Sequence, residues 1–118
     1  GRIEEVVNSH PLVVESAVIA LFDELKTEIP FAFMVLADGH KISETKVIAE
    51  VNELVKKEIG AFSALGGGLI LQRLPKTRSG KIMRRILRKI AEGETSNLGD
   101  TSTLLDPGVV DEIVAGKV

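Results

Sequence analysis

A lysine that is to meet an anion at a fixed place needs a rigid turn beneath it, and one stretch offers both. In Leu74-Pro-Lys-Thr-Arg-Ser-Gly-Lys81 a Pro-led polar turn delivers Lys81 to the start of an amphipathic pattern that runs to Ile90. Eight of the chain's fifteen Lys and Arg residues lie between Arg73 and Lys89, with no acidic residue among them. Ser79 and Gly80 allow a tight backbone, while Lys76 and Arg78 place like charge beside Lys81. Clustered like charges cost energy unless a counter-charge neutralises them. The expectation is an anion site, an ammonium group beside the backbone N–H groups of a helix N-terminus. The competing account is a polar turn followed by a solvated basic helix face.

Several anion-binding classes drop out. A phosphate-binding P-loop needs glycine where Pro75 stands and Ser or Thr after the lysine, where Ile82 stands, so that class of NTPase is excluded. The four Phe, with no Trp and no Tyr, leave no stacking platform for single-stranded nucleic acid. Nucleic-acid binding through the basic helix alone is disfavoured, since aromatic interleaving and a basic tail are both missing. A membrane-surface helix is disfavoured too, because Ile82, Ile86, Leu87 and Ile90 are needed for the chain's own core. No apolar run is long enough to cross a bilayer, and no signal-peptide pattern opens the chain. The absence of cysteine removes disulfide and thiol chemistry and fits a reducing, cytoplasmic setting. Net charge is only −2, but all seventeen acidic residues lie outside 73–89. That segregation suits a specific anion better than a polyanion.

The elements that must hold the turn read as one small α+β domain over 1–118, a sheet of about three strands flanked by helices, with 44% hydrophobic content sufficient for a modest core. Ile3, Val6, Val7 and His10 mark a short helix ended by Pro11. Because the chain opens directly onto this helix, an upstream segment is expected. Residues 13–22 and 30–37 read as strands, paired antiparallel across the polar 23–29 connection. Ser43 caps a helix over 44–59, with Val47, Val51, Leu54, Val55 and Ile59 on one face and Gly60 at its C-terminal turn. Gly66-Gly67-Gly68 reads as a loose joint before a third strand over 69–74. The charged turn and a helix over 81–91 follow. A polar, mostly irregular tail begins near 93, and Pro107 opens a short terminal helix over 107–115.

At this point the residues carry a resemblance. Pro75-Lys-Thr-Arg-Ser-Gly-Lys81-Ile-Met-Arg-Arg-Ile-Leu-Arg-Lys-Ile90 resembles the C-terminal signature of the AMP-forming acyl-CoA synthetases, most of all the acetyl-CoA synthetase group. Gly99-Asp-Thr-Ser-Thr-Leu-Leu-Asp-Pro107 resembles that group's tail, and Ile3-Glu4-Glu5 with His10-Pro11 the stretch after its interdomain hinge. The resemblance implies a small lid domain that swings over a large N-terminal domain, which is missing here together with the hinge, so that this piece alone is inactive. It implies ATP with Mg2+ and coenzyme A as cofactors of the full-length enzyme, none of them expected on this piece, and no metal site in it. Acetate or propionate is the implied substrate. Lys81 matches the adenylation lysine, with Arg78, Ser79 and Gly80 shaping its turn. The same lysine is implied as a target of a lysine acetyltransferase and a deacylase. Lys56 falls where that group carries an arginine contacting the nucleotide end of CoA. Lysine there keeps the charge but loses the bidentate fork, and the alternative is a solvated helix position. Thr27 replaces a common glycine, and Ala61 and Leu65 replace prolines flanking Phe62, changes expected to loosen the 60–68 connection. Apart from the synthetase reading, a domain serving as an acetylation substrate, or a free-standing phosphate- or nucleic-acid-binding module, stays open.

Overall fold

The β-branched run Val13–Phe22 forms strand β1, and the apolar run Glu28–Leu36 forms β2, antiparallel to it with Ala17 opposite Phe33. A computed structural model describes residues 2–22, 28–61, 64–94, 98 and 101–117, with the side chains of 116 and 117 left aside. Strand β3, Gly67–Leu71, lies parallel to β2, so the order is β1-β2-β3 with β2 in the middle. Thr27 and Phe62 fall outside the described residues.

The period of two along each strand sends alternate side chains to opposite faces, and each face has its own core. On one face, Ala17, Ile19, Phe33 and Leu71 pack against Ile86, Leu87 and Ile90 of helix α3 (Arg84–Ala91) and Val109, Val110 and Ile113 of helix α4 (Gly108–Lys117). On the other, Val13, Ala32, Met34 and Leu36 pack against Val7 of helix α1 (Arg2–Asn8) and Val47, Val51 and Val55 of helix α2 (Glu44–Glu58). A bulge at Val14 shifts the register between Val13 and Glu15. It lets Val13 face the α1/α2 core while Glu15, one residue past the bulge, falls in step with Ala17 and Ile19 on the α3/α4 face.

Ser43 caps α2 as expected, its side chain accepting the Lys46 N–H at 3.2 Å. Beyond α2, Gly60 takes a φ of +133°. His10 lies two residues beyond α1 in the turn, 6% exposed. Its Nδ1 accepts the Leu12 N–H at 3.1 Å, so the proton sits on Nε2 and is donated to Glu50 on α2 at 2.8 Å.

Three expectations change. The glycine joint is close-packed: Gly67 and Gly68 belong to β3, which runs over Gly67–Leu71 rather than 69–74, and a Cβ on Gly67 would stand 2.9 Å from the Phe31 ring. The described part of the 60–68 connection is tied down, since the Leu65 N–H donates to Asn52 Oδ1 at 2.9 Å and the Gly66 N–H to Pro30 O at 2.8 Å. The terminal helix runs over Gly108–Lys117 rather than 107–115, and the Asp106 side chain caps it by accepting the Gly108 N–H at 3.0 Å, with Pro107 in the first turn as expected.

Candidate functional site

Pro75 is fully buried and fixes where the lysine turn leaves the core. Beyond it the chain makes a small hairpin. Lys76 pairs antiparallel with Ile82, the Thr77 N–H donates to Lys81 O at 2.8 Å, and the Gly80 N–H donates to Thr77 O at 2.9 Å. Arg78, Ser79 and Gly80 are thus a three-residue hairpin loop, with Gly80 at φ +88° in the left-handed position such a loop requires. Nothing stands within 4 Å of where a Gly80 Cβ would be, so glycine is needed for its backbone angle and not for space.

The hairpin overturns the expectation that helix starts at Lys81. Residues 81–83 are not helical, because Ile82 is paired and the Met83 N–H donates to Pro75 O at 2.8 Å. Helix α3 therefore begins at Arg84, and Met83 supplies no side-chain cap. Lys81 lies three residues before that helix, so the macrodipole and free helix N–H groups are not its partners. What the turn offers is an exposed side chain on a hydrogen-bonded hairpin.

A residue outside the predicted set, Thr77, does the most in the loop. Its Oγ1 accepts the Lys81 N–H at 3.1 Å and lies 2.9 Å from Ser79 Oγ, so one hydroxyl ties both arms of the loop. Ser79 contributes through this contact, and the exposed Arg78 occupies the loop tip. A hydroxyl three residues before the loop glycine is a common local turn former, which is the signal that could have found it.

Four cations of the basic run, Arg73, Lys76, Arg84 and Lys89, are paired with carboxylates of the protein itself. Lys76 Nζ lies 2.9 and 3.1 Å from the two Glu15 oxygens; the buried Oε1 has the ammonium beside it but off the line of a good hydrogen bond. Arg73 binds Asp106 at 2.6 Å and Glu112 at 3.0 Å. The Glu112 carboxylate first, then Asp106, hold the Arg73 guanidinium more firmly protonated, while Arg73, with the Gly108 N–H, holds the Asp106 carboxyl below its usual range. Lys89 pairs with Glu94 at 2.8 Å, which raises the lysine's pKa. Arg84 reaches across the open edge of β1, binding both Glu4 oxygens at 2.8 and 3.0 Å and the Val18 carbonyl at 3.2 Å. Burial pushes the Glu4 carboxyl up, but the Arg84 hydrogen bond and charge, with a backbone hydrogen bond from Val18, outweigh it and leave it below its ordinary value. Among the described residues no ion pair is made by Arg78, Lys81 or Arg88. The charge presented at the hairpin tip is therefore that of Arg78 and Lys81.

Lys56 is not part of this arrangement. It is exposed on α2, 3.4 Å from Glu53 one turn back, and α2 packs on the sheet face opposite the one that holds Leu74, Ile82 and α3. The two sequence-predicted cations are thus carried by elements on opposite faces of the sheet. Among the described residues no group of His, Asp or Glu side chains gathers that could hold a metal ion, and no helix is long and apolar enough to cross a membrane.

A three-stranded mixed sheet with helices on both faces and a lysine hairpin at its rim defines a domain class, and comparison with known proteins gives it a family. The model of the AMP-binding enzyme C-terminal domain matches residues 2–81, so this chain belongs to that family. Within it, the chain is 50% identical to the acetyl-coenzyme A synthetase of Aeromonas hydrophila over 117 residues, 99% of this chain and 18% of the relative. It is thus similar to under a fifth of such a protein. The crystal structure of a Brucella canis acyl-CoA synthetase superposes on 80% of this chain and 17% of its own, with a TM-score of 0.69 and 38% identity. The anthranilate CoA ligase AuaEII in complex with anthranoyl-AMP superposes on 78% of this chain and 18% of its own, with a TM-score of 0.65 and 29% identity.

Proposed function

We propose that this domain is the mobile part of an AMP-forming acetyl-CoA synthetase and carries Lys81 into the adenylation step. In that step a carboxylate oxygen of acetate, or of propionate, attacks the α-phosphorus of ATP, and the bond to the departing pyrophosphate breaks. Two anions meet and charge builds on the phosphoryl oxygens, so a cation positioned in advance stabilises the transition state more than the ground state. The observation that carries the reading is the exposed Lys81 side chain, without an ion-pair partner among the described residues, on a hairpin whose backbone is bonded across both arms. ATP enters with its Mg2+ on the large N-terminal domain, the implied partner of this one.

In the second half-reaction the CoA thiol attacks the acyl carbonyl and AMP leaves. Rotation of the domain would then withdraw Lys81 and present another surface, and the placement of Lys56 on the opposite side of the sheet supports its use as a contact to the nucleotide end of CoA. The test is Lys81→Ala in the full-length enzyme: acyl-adenylate formation is lost, and thioester formation from supplied acyl-adenylate is kept.

A second reading rests on the same exposure. Lys56, Lys76 and Lys89 each have a carboxylate partner; Lys81 has none among the described residues, as is also true of Lys41, Lys46 and Lys57, but it alone of these four stands on the hairpin. That leaves its amine open to an acetyltransferase, and acetylation would remove the charge. Mass spectrometry after incubation with acetyltransferase and acetyl-CoA would place the label on Lys81; label spread over other lysines and sparing Lys81 would refute this.

A further inference from the structure

The family model ends its match at Lys81, yet residues beyond α3 come back to the lysine hairpin. Leu104 pairs antiparallel with Thr77, and the Leu105 N–H donates to Lys76 O at 2.9 Å. The first arm of the hairpin is therefore bonded on both edges, to 81–82 on one side and to 104–105 on the other. An isolated two-stranded hairpin is marginal in water, and further backbone bonding along its edge with a side chain buried in the core supports it. Leu104 is 1% exposed and belongs to the same core as Leu74 and Ile86. Arg73, just before the hairpin, fastens the far end of the segment through Asp106 at 2.6 Å and Glu112 at 3.0 Å. At the near end, Arg85 donates to the Leu98 carbonyl at 2.8 Å.

We propose that residues 101–106 are a positioning strap for Lys81: by bridging the hairpin's outer edge at Leu104 and Leu105 and locking there through the Leu104 side chain and Arg73, they hold the ammonium group where adenylation needs it. The strap rests on the reading of Lys81 as the adenylation charge. It acts through the backbone of Lys76 and Thr77 and touches no substrate. The match to the Aeromonas acetyl-coenzyme A synthetase covers 99% of this chain, so the strap lies within what this chain shares with that relative and outside what the broader family model spans.

Leu105 allows a clean test, because its side chain is 67% exposed and its part in the strap is its N–H. In the full-length enzyme, Leu105→Pro removes that donor and Leu105→Ala keeps it. Displacing a catalytic group by a fraction of an ångström to one ångström costs about tenfold or more, so Leu105→Pro should lower acyl-adenylate formation about tenfold. Thioester formation from supplied acyl-adenylate should stay at the wild-type rate, and amide hydrogen exchange at Thr77 and Gly80 should quicken. Leu105→Ala should match wild type throughout. Arg73→Ala, on an exposed side chain, should shift both readouts the same way, and Arg73→Lys should restore part of the loss; these carry the test if the proline variant fails to fold. Wild-type exchange at Thr77 together with a wild-type adenylation rate, or equal loss of both half-reactions with unchanged exchange, overturns the strap. If Lys81→Ala, run alongside, adenylates normally, the catalytic reading falls instead, and the exchange rates alone decide whether the segment holds the hairpin.

Discussion

Thr77 and Lys81 are bonded to each other twice: the Thr77 N–H donates to Lys81 O at 2.8 Å, and Thr77 Oγ1 accepts the Lys81 N–H at 3.1 Å. The side-chain hydroxyl stands in for a second backbone rung. This closes the loop over Arg78, Ser79 and Gly80 without an ion pair, and so leaves the Lys81 charge available while its backbone is fixed.

Replacing Thr77 by Val keeps the β-branch and removes the acceptor. Thr77 is half-buried, so the expected stability loss in thermal unfolding is only about 1 kcal/mol. Adenylation in the full-length enzyme should fall about tenfold through misplacement of Lys81, and Thr77→Ser should recover most of it. An adenylation rate unchanged in Thr77→Val would show that the hydroxyl does not position the lysine.

The Glu4–Arg84 pair spans the open edge of β1 and occupies the Val18 carbonyl. The Glu4 and Asp106 carboxyls both sit below their ordinary values in the folded protein. A depressed carboxyl pKa adds stability that is present above the unfolded value, about 4, and is lost as pH falls through the folded value. Thermal unfolding should therefore show stability level near neutrality and falling below about pH 4. Glu4→Gln should lower stability at pH 7 by about 1 kcal/mol, as expected for a bidentate pair half open to water, and flatten the acid limb. An acid limb unaltered in Glu4→Gln would remove this pair from the account.

Leu65 stands where the resemblance expects a proline, and the fold has other uses for it. Its side chain is 8% exposed and its N–H satisfies Asn52 Oδ1 at 2.9 Å. Leu65→Pro removes both the packing and the donor and should cost about 2 kcal/mol or more in chemical denaturation. A neutral or stabilising Leu65→Pro would mean that this connection can take the path a proline imposes.

What could be read from the sequence followed local pattern. The α+β class, β1 and β2 with their antiparallel pairing, and α2 with its Ser43 cap all come from periodicity and capping chemistry that act within a few residues. Lys81 stood out by its place in the turn. What escaped was set by distant partners. The start of α3 moved to Arg84 because Ile82 is taken by Lys76, a pairing that helical spacing at Ile86, Leu87 and Ile90 does not reveal. The pairing of Arg73, Lys76 and Arg84 depends on Glu4, Glu15, Asp106 and Glu112, with Arg84 lying 80 residues from Glu4 and Arg73 lying 33 from Asp106. Leu104 is one buried apolar residue in a polar stretch, with no period to announce it.

In the proposed mechanism Lys81 supplies charge to one half-reaction and not to the other. Rapid-quench kinetics of Lys81→Ala in the full-length enzyme, following acetyl-adenylate formation and, separately, acetyl-CoA formation from supplied acetyl-adenylate, separates the two steps. The expected result is a loss of adenylation of about a hundredfold or more, as for removal of one preorganised electrostatic partner, with the thioester step within about twofold of wild type. Equal losses in both steps from a folded variant, or no loss in the first, would contradict it.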